Sequence, residues 1–187
     1  SKRCFAEVGG YHPSIFILNC TVWLTRKRKS MVKALHIEPS YCTGCHQCEM
    51  ACSYHHEGAF NPSKSRIKVF AFQDEGRNVP YTCTQCDDAW CMRACPVDAI
   101  SVNKKTAAKE VSEELCVGCK VCTIACPFGT INYNHTTGKV VKCDLCSDDP
   151  QCVEVCPTPA LSYIDAEQTG MDRMRQWAER TDSGKKA

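Results

Sequence analysis

The sequence predicts an α+β chain, rich in loops, with too little hydrocarbon to build a large core. Three observations point there. Sixteen of its 18 cysteines fall in four tight blocks, each block ends in CxxxC, and the segments between are short runs broken by turn residues. A disulfide framework spreads its cysteines so that bridges close useful loops. Here only Cys4 and Cys20 stand apart.

Residues 1–30 carry scattered Gly, Pro and Trp followed by the basic run Arg26–Lys29, and read as an N-terminal extension without a catalytic role. The main domain is expected over 31–165. It opens with a strand around Ala34–Ile37 leading into the first block, Cys42–Cys52. "RIKVFAF", Arg66–Phe72, alternates like a half-buried strand, and "DAISVN" after Cys95 gives another. "GTINYNHTTGKVVKC", Gly129–Cys143, reads as two strands joined by a turn at His135–Gly138. Segments ending in a fourth cysteine, such as "WCMRAC", are one-turn helices that Pro96, Pro127 or Pro157 stops. Residues 166–187 form a tail in which "MDRMRQWAER" sets Met171, Met174, Trp177 and Ala178 on one helical face, expected to fold back on the body, with Arg173, Arg175 and Arg180 outside.

The blocks are internal repeats. Their spacings are CxxCxxCxxxC at 42–52, CxxCxxxxCxxxC at 83–95, CxxCxxCxxxC at 116–126 and CxxCxxxxxCxxxC at 143–156. Proline follows the last cysteine in every block except the first, where Ser53 stands. A cubane of four irons and four sulfides takes one thiolate per iron, and a CxxCxxC loop reaches three of them. The fourth corner lies beyond the loop, so a cysteine from elsewhere closes it. Two-cluster ferredoxins do this by crossing, through the run C-x2-C-x2-C-x3-C-P that recurs here at Cys116–Pro127. Four blocks then imply four [4Fe–4S] clusters in two crossed pairs. Spacing alone leaves open which blocks pair. Zinc is the rival by count, but the repeated CxxxC tail and its proline have no role in a zinc ribbon. Metal binding would supply much of the folding free energy.

From Met31 to about Asp165 the chain resembles the four-cluster ferredoxin-type subunits of molybdenum and tungsten oxidoreductases, the family of the dimethyl sulfoxide reductase iron–sulfur subunit. "CTQCDDAWCMRACPVDAI" and "KCDLCSDDPQCVEVCPTPAL" carry the likeness. Small size makes the chain most similar to the iron–sulfur subunit of tungsten-dependent aldehyde oxidoreductases. The resemblance implies a ferredoxin-like fold of two crossed 2[4Fe–4S] modules, 31–65 with 130–165 and 80–128 by itself. It implies one cluster on Cys42, Cys45, Cys48 and Cys156, and its mate on Cys52, Cys143, Cys146 and Cys152. The inner pair would use Cys83, Cys86, Cys91 and Cys126, then Cys95, Cys116, Cys119 and Cys122. It further implies a tungsten- or molybdenum-pterin catalytic subunit oxidising an aldehyde, and a FAD- or NAD-linked subunit at the far end.

No block lacks a cysteine, so no three-iron cluster is expected. Lys120, Lys142 and Arg93 would favour reduced clusters, and Asp87, Asp88, Asp148 and Asp149 oxidised ones, unless they are ordinary surface charge. His46, His55 and His56 read as surface histidines, and Tyr41, Tyr54 and Tyr81 as cover against water. No nucleophile–base pair, phosphate loop or dinucleotide fingerprint occurs, so the chain alone is not expected to be an enzyme. The formal charge of +2 suggests no nucleic-acid partner. Sixteen thiolates around four cores of about +2 each would bring the loaded protein to about −6. Ile15–Leu24 is well short of the roughly 18 apolar residues of a bilayer span and lacks a cleavage site, so a cytoplasmic protein is expected. The expected function is a wire of four clusters that could stack head to tail. Its rivals are a free-standing polyferredoxin and a structural zinc module.

Overall fold

In the computed structural model, residues 32–166 are described, together with Met171, Met174, Arg175, Ala178 and Glu179. The expected extension at 1–30 lies outside them. The fold is α+β with short elements. Its strands are β1 (Lys33–Ile37), β2 (Lys68–Phe72), β3 (Arg77–Tyr81), β4 (Ile100–Val102), β5 (Lys109–Val111), β6 (Asn132–Asn134), β7 (Lys139–Val141) and β8 (Leu161–Asp165). The helices are α1 (Gln47–Glu57), α2 (Trp90–Arg93), α3 (Val121–Ala125) and α4 (Gln151–Glu154).

The strands form four antiparallel pairs, and each pair brings two stretches of chain together. β1 precedes the first block and β8 follows the fourth, so their ladder sets these two blocks side by side. Lys33 faces Asp165 across it, Leu35 faces Tyr163, and the Lys33 ammonium lies 5.3 Å from the Tyr163 ring centre. The β4–β5 pair connects blocks two and three, with Ile100 opposite Val111. The helices follow the same arrangement: α1 packs on α4, and α2 on α3.

Two cores result. Cys48, Cys52, Ile67, Cys152 and Leu161 make one, and Cys91, Cys116, Cys122, Ile100, Ile131 and Val140 anchor the other. Both are built partly of thiols, as a chain with little hydrocarbon requires.

Three helices stop within one turn, as their prolines dictate. Ser53 lets α1 continue past Cys52 to Glu57, where Gly58 caps it at φ 68°. Ser53 is fully buried; its hydroxyl donates to the Met50 carbonyl at 2.9 Å and accepts from the Asn61 N–H at 3.0 Å.

Some expectations are corrected. β2 is not half-buried in alternation: Phe70 and Phe72 are both exposed, and Arg77 covers the Phe72 ring at 5.5 Å. Its partner β3 contains Pro80, fully buried opposite Val69. In a two-stranded sheet each strand is an edge, so a proline without a donor is tolerated. Met171 and Met174 are helical but exposed, so neither folds back on the body; Arg173, Trp177 and Arg180 lie outside the described residues. Among the described residues, no helix is long and apolar enough to cross a membrane.

Candidate metal centres

All sixteen block cysteines are free thiols. Three small cavities each gather four of them. Cys42, Cys45, Cys48 and Cys156 line one. Cys52, Cys143, Cys146 and Cys152 line a second. Cys95, Cys116, Cys119 and Cys122 line a third. In each, three cysteines come from one block and the fourth from the block packed against it. Of the remaining four, Cys91 is close enough to Cys83 and to Cys126 for their thiolates to repel its own. Cys86 accepts or shares a proton with the Thr84 hydroxyl at 3.2 Å.

The local backbone repeats with the blocks. The residue before the second cysteine has a left-handed φ in all four: Gly44 at 71°, Gln85 at 52°, Gly118 at 70° and Leu145 at 60°. That turn swings the chain so that both thiols of each CxxC face one space. In the fourth block, Cys146, Ser147 and Asp148 continue left-handed at 47°, 58° and 86°. Four such residues in a row persist only where surroundings hold them. Gly118 cannot be replaced by a larger residue without a shift, because a Cβ there would lie 2.1 Å from the Gly138 carbonyl oxygen.

The donor set fits a large polynuclear group and not a single ion. A zinc–thiolate bond is about 2.3 Å, which puts the sulfurs of a Cys4 site about 3.8 Å apart. Among the described residues, the one group of three or more ligand atoms lying mutually within 4.8 Å is His55, His56 and Cys146. The cysteine quartets are therefore spread around their cavities. Backbone N–H groups point at thiols from outside the blocks too: Arg66 at Cys52 and Ala99 at Cys95, both at 3.3 Å.

Burial pushes the thiols up, to about 12 for Cys48 and Cys146 and about 11 for Cys122, with neighbouring cysteines adding to the shift. Cys152 and Cys143 rise for the same first cause. Gathering four thiolates in one dry space is unfavourable until a cationic core compensates them. Cys126 alone is drawn down. Burial raises it, but hydrogen bonds from Thr130 and the Phe128 and Gly129 backbone outweigh that.

Neighbouring quartets are close. Cys48 and Cys152 repel between the first and second cavities, and Cys83 and Cys143 between the second cavity and the group of Cys83, Cys86, Cys91 and Cys126. Among the sixteen, only Cys45 and Cys119 are exposed.

Several flanking residues differ from expectation. His56 is no surface histidine: its side chain is 12% exposed, its Nε2 lies 3.8 Å from Cys146 Sγ, and burial together with Arg66 lowers its pKa to about 4. Asp144 beside it accepts from Arg66 at 2.7 Å; burial raises its pKa, but Arg66 and His56 pull it below the ordinary value. His46 bonds Glu49 at 3.0 Å, and Glu49 in turn accepts from the Val69 N–H at 2.7 Å. Arg93 and Asp88 pair at 2.8 Å on the surface, which cancels two of the expected tuning charges. Lys120 lies 3.9 Å over the Tyr133 ring, and Asp148 accepts from Tyr163 at 2.8 Å. Tyr41 and Tyr54 are more than half exposed, Tyr54 stacking on Phe60, so they give little cover against water. Gln85 and Thr130 were not singled out from sequence. The signal for Gln85 is that it stands where two other blocks have glycine.

Residues 75–166 match the 4Fe-4S dicluster domain family and residues 39–55 a 4Fe-4S binding domain family. The polyferredoxin-like subunit of an aliphatic sulfonate oxidoreductase from Pyrococcus furiosus is 48% identical, over 64% of this chain and 69% of that one. An iron–sulfur protein of Rhodospirillum rubrum is 34% identical, over 70% of this chain and 81% of that one. Formate hydrogenlyase subunit 2 of Escherichia coli is 36% identical, over 68% and 79% respectively. Among solved structures, a chain of the active-site complex BamBC of benzoyl coenzyme A reductase matches with a TM-score of 0.41 at 23% identity, over 80% of this chain and 90% of that one. With thiol quartets too wide for a single ion and relatives of this kind, the chain belongs to the ferredoxin-type 4Fe-4S family of polyferredoxin-like iron–sulfur electron-transfer proteins.

Proposed function

We propose that the chain carries four [4Fe–4S] clusters, one per cysteine quartet, as the electron-conducting subunit of an oxidoreductase complex. The observation that carries this reading is the composition of the three cavities, each lined by three cysteines of one block and one of its neighbour. The fourth centre falls on Cys83, Cys86, Cys91 and Cys126. When bound, such clusters supply one-electron transfer. The protein holds them by sixteen thiolates, spaces them through the two helix pairs, and keeps water from the inner quartets by burial.

The adjacency of the quartets supports a linear path. It would begin at the Cys45 quartet, pass those of Cys146 and Cys86, and end at that of Cys119. Exposure at Cys45 and Cys119 alone supports electron exchange at the two ends. The likeness to oxidoreductase subunits supports a large catalytic partner, and the family resemblance extends this to a tungsten- or molybdenum-pterin subunit acting on an aldehyde. A FAD- or NAD-linked subunit at the other end, and head-to-tail self-association, complete the reading. On its own the chain transforms no organic substrate.

Anaerobic analysis tests the cofactor: about sixteen irons and sixteen sulfides per chain are expected, and metal without sulfide refutes it. Ligand exchange tests the crossing. Cys156→Ser and Cys45→Ser should remove the same paramagnetic signal and Cys146→Ser a different one. If Cys156→Ser matches Cys146→Ser instead, the blocks are not crossed.

A further inference from the structure

Lys142 is 2% exposed. An ammonium group that deep requires acceptors for its protons and a counter-charge for its field. Its acceptors are the Gln85 side-chain oxygen at 3.2 Å, the Cys143 carbonyl at 3.1 Å and the Lys109 carbonyl. All three are neutral. Among the described residues, no carboxylate lies within ion-pair distance of it. Lys109, itself buried, adds a second ammonium to the same node and donates to the Gln85 carbonyl at 3.4 Å. The nearby carboxylate Asp144 is already matched by Arg66.

The counter-charge has to come from thiolates. Gln85 stands between Cys83 and Cys86, and its amide donates to the Cys143 carbonyl at 2.6 Å, so the node ties the second block to the start of the fourth. Cys91 feels the Lys142 charge directly, as the strongest influence that opposes the effect of its burial. The buried cation thus lies beside both inner quartets, acting on Cys91 of one and bonded to the Cys143 carbonyl of the other, and among the described residues no hydrogen bond ties it to the quartets of Cys45 and Cys119.

We propose that Lys142 is a positioning residue whose fixed charge makes the two inner centres, on Cys83, Cys86, Cys91, Cys126 and on Cys52, Cys143, Cys146, Cys152, easier to reduce than they would otherwise be. A cation at that place favours the more negative, reduced state of each, and burial leaves its field unscreened by salt. Electrons arriving from either end are then drawn to the middle of the path.

The inference rests on the four-centre reading, and its test separates the two. The full chain is titrated potentiometrically under nitrogen with a dithionite reductant, and the centres are followed by paramagnetic resonance. Lys142→Gln should shift two centres to lower potential by at least a tenfold change in the one-electron constant, 59 mV, and leave the other two in place. Lys142→Arg should keep the native potentials. Gln85→Glu, which sets a carboxylate against the ammonium without changing side-chain size, should shift the same two centres downward. Lys104→Gln, at an exposed site, should shift none. Full iron with unmoved potentials, or an equal shift of all four centres, overturns the role of Lys142 but not the four centres. If Lys142→Gln loses iron, Gln85→Glu decides. Loss of iron in both, and in Lys142→Arg, assigns the residue to packing and overturns the proposal. Fewer than four centres in the unmodified chain refutes the underlying reading instead.

Discussion

Replacing Gly118 by alanine tests whether the four cysteine loops are held by backbone geometry. Gly118 and Gly58 share nearly the same left-handed conformation, φ 70° and 68°. An L-residue there costs about 1–2 kcal/mol. Gly58, at the end of α1, has nothing within 4 Å of an added Cβ, so Gly58→Ala carries that term alone. At Gly118 the Cβ also meets the Gly138 carbonyl at 2.1 Å, which is backbone and cannot swing aside. Forced separation of two packed segments adds about 1–3 kcal/mol, so the total is about 2–5 kcal/mol. Gly44 falls between: its Cβ would meet the Asn78 side chain at 2.7 Å, which can rotate away. The two variants differ by the added term of about 1–3 kcal/mol, so at about 2–4 °C per kcal/mol for a chain of this size Gly118→Ala should melt roughly 2–12 °C below Gly58→Ala. The assay is an anaerobic thermal ramp read by circular dichroism and visible absorbance. Equal losses at Gly58 and Gly118 would show that the Cys116–Cys119 loop does not rest on the Gly138 turn, and would refute the reasoning.

Two further outcomes follow from the fold. Ser53→Pro gives the first block the sequence of the others but places proline inside α1, at about 3 kcal/mol, and strands the Asn61 N–H for about 1–3 kcal/mol more; Ser53→Ala should lose only the latter. Native-like stability of Ser53→Pro in the same ramp would mean that the helix ends at Cys52. Removing iron with a chelator under nitrogen should unfold residues 32–166, because both cores are built partly of thiols, and amide exchange should lose its protection throughout. Protection that survives would locate the stability in the hydrocarbon alone.

What the sequence made legible is what short-range chemistry controls. Pro96, Pro127 and Pro157 mark the helix stops, and the turn at His135–Gly138 marks the β6–β7 hairpin. β3 and β5 were hidden for local reasons: "RNVPY" contains a proline, and "KEV" is polar and three residues long. Each forms because its partner is nearby, not because of its own pattern. The Gln85–Lys109–Lys142 node joins residues 24 and 57 positions apart, so only packing could reveal it. His56 departs from a surface reading because α1 continues past Cys52 to Glu57 and carries its ring to Cys146.

The exposure of Cys45 and Cys119 has a consequence for survival in air. A metal corner near enough to the surface to trade electrons with a protein is also near enough for dioxygen to reach. On the proposed path, damage should start at its two extremities and leave the interior centres intact for longer, so a partly bleached sample would still hold charge while being unable to pass it on. A docked neighbour at either extremity would then serve as a seal as well as a terminal.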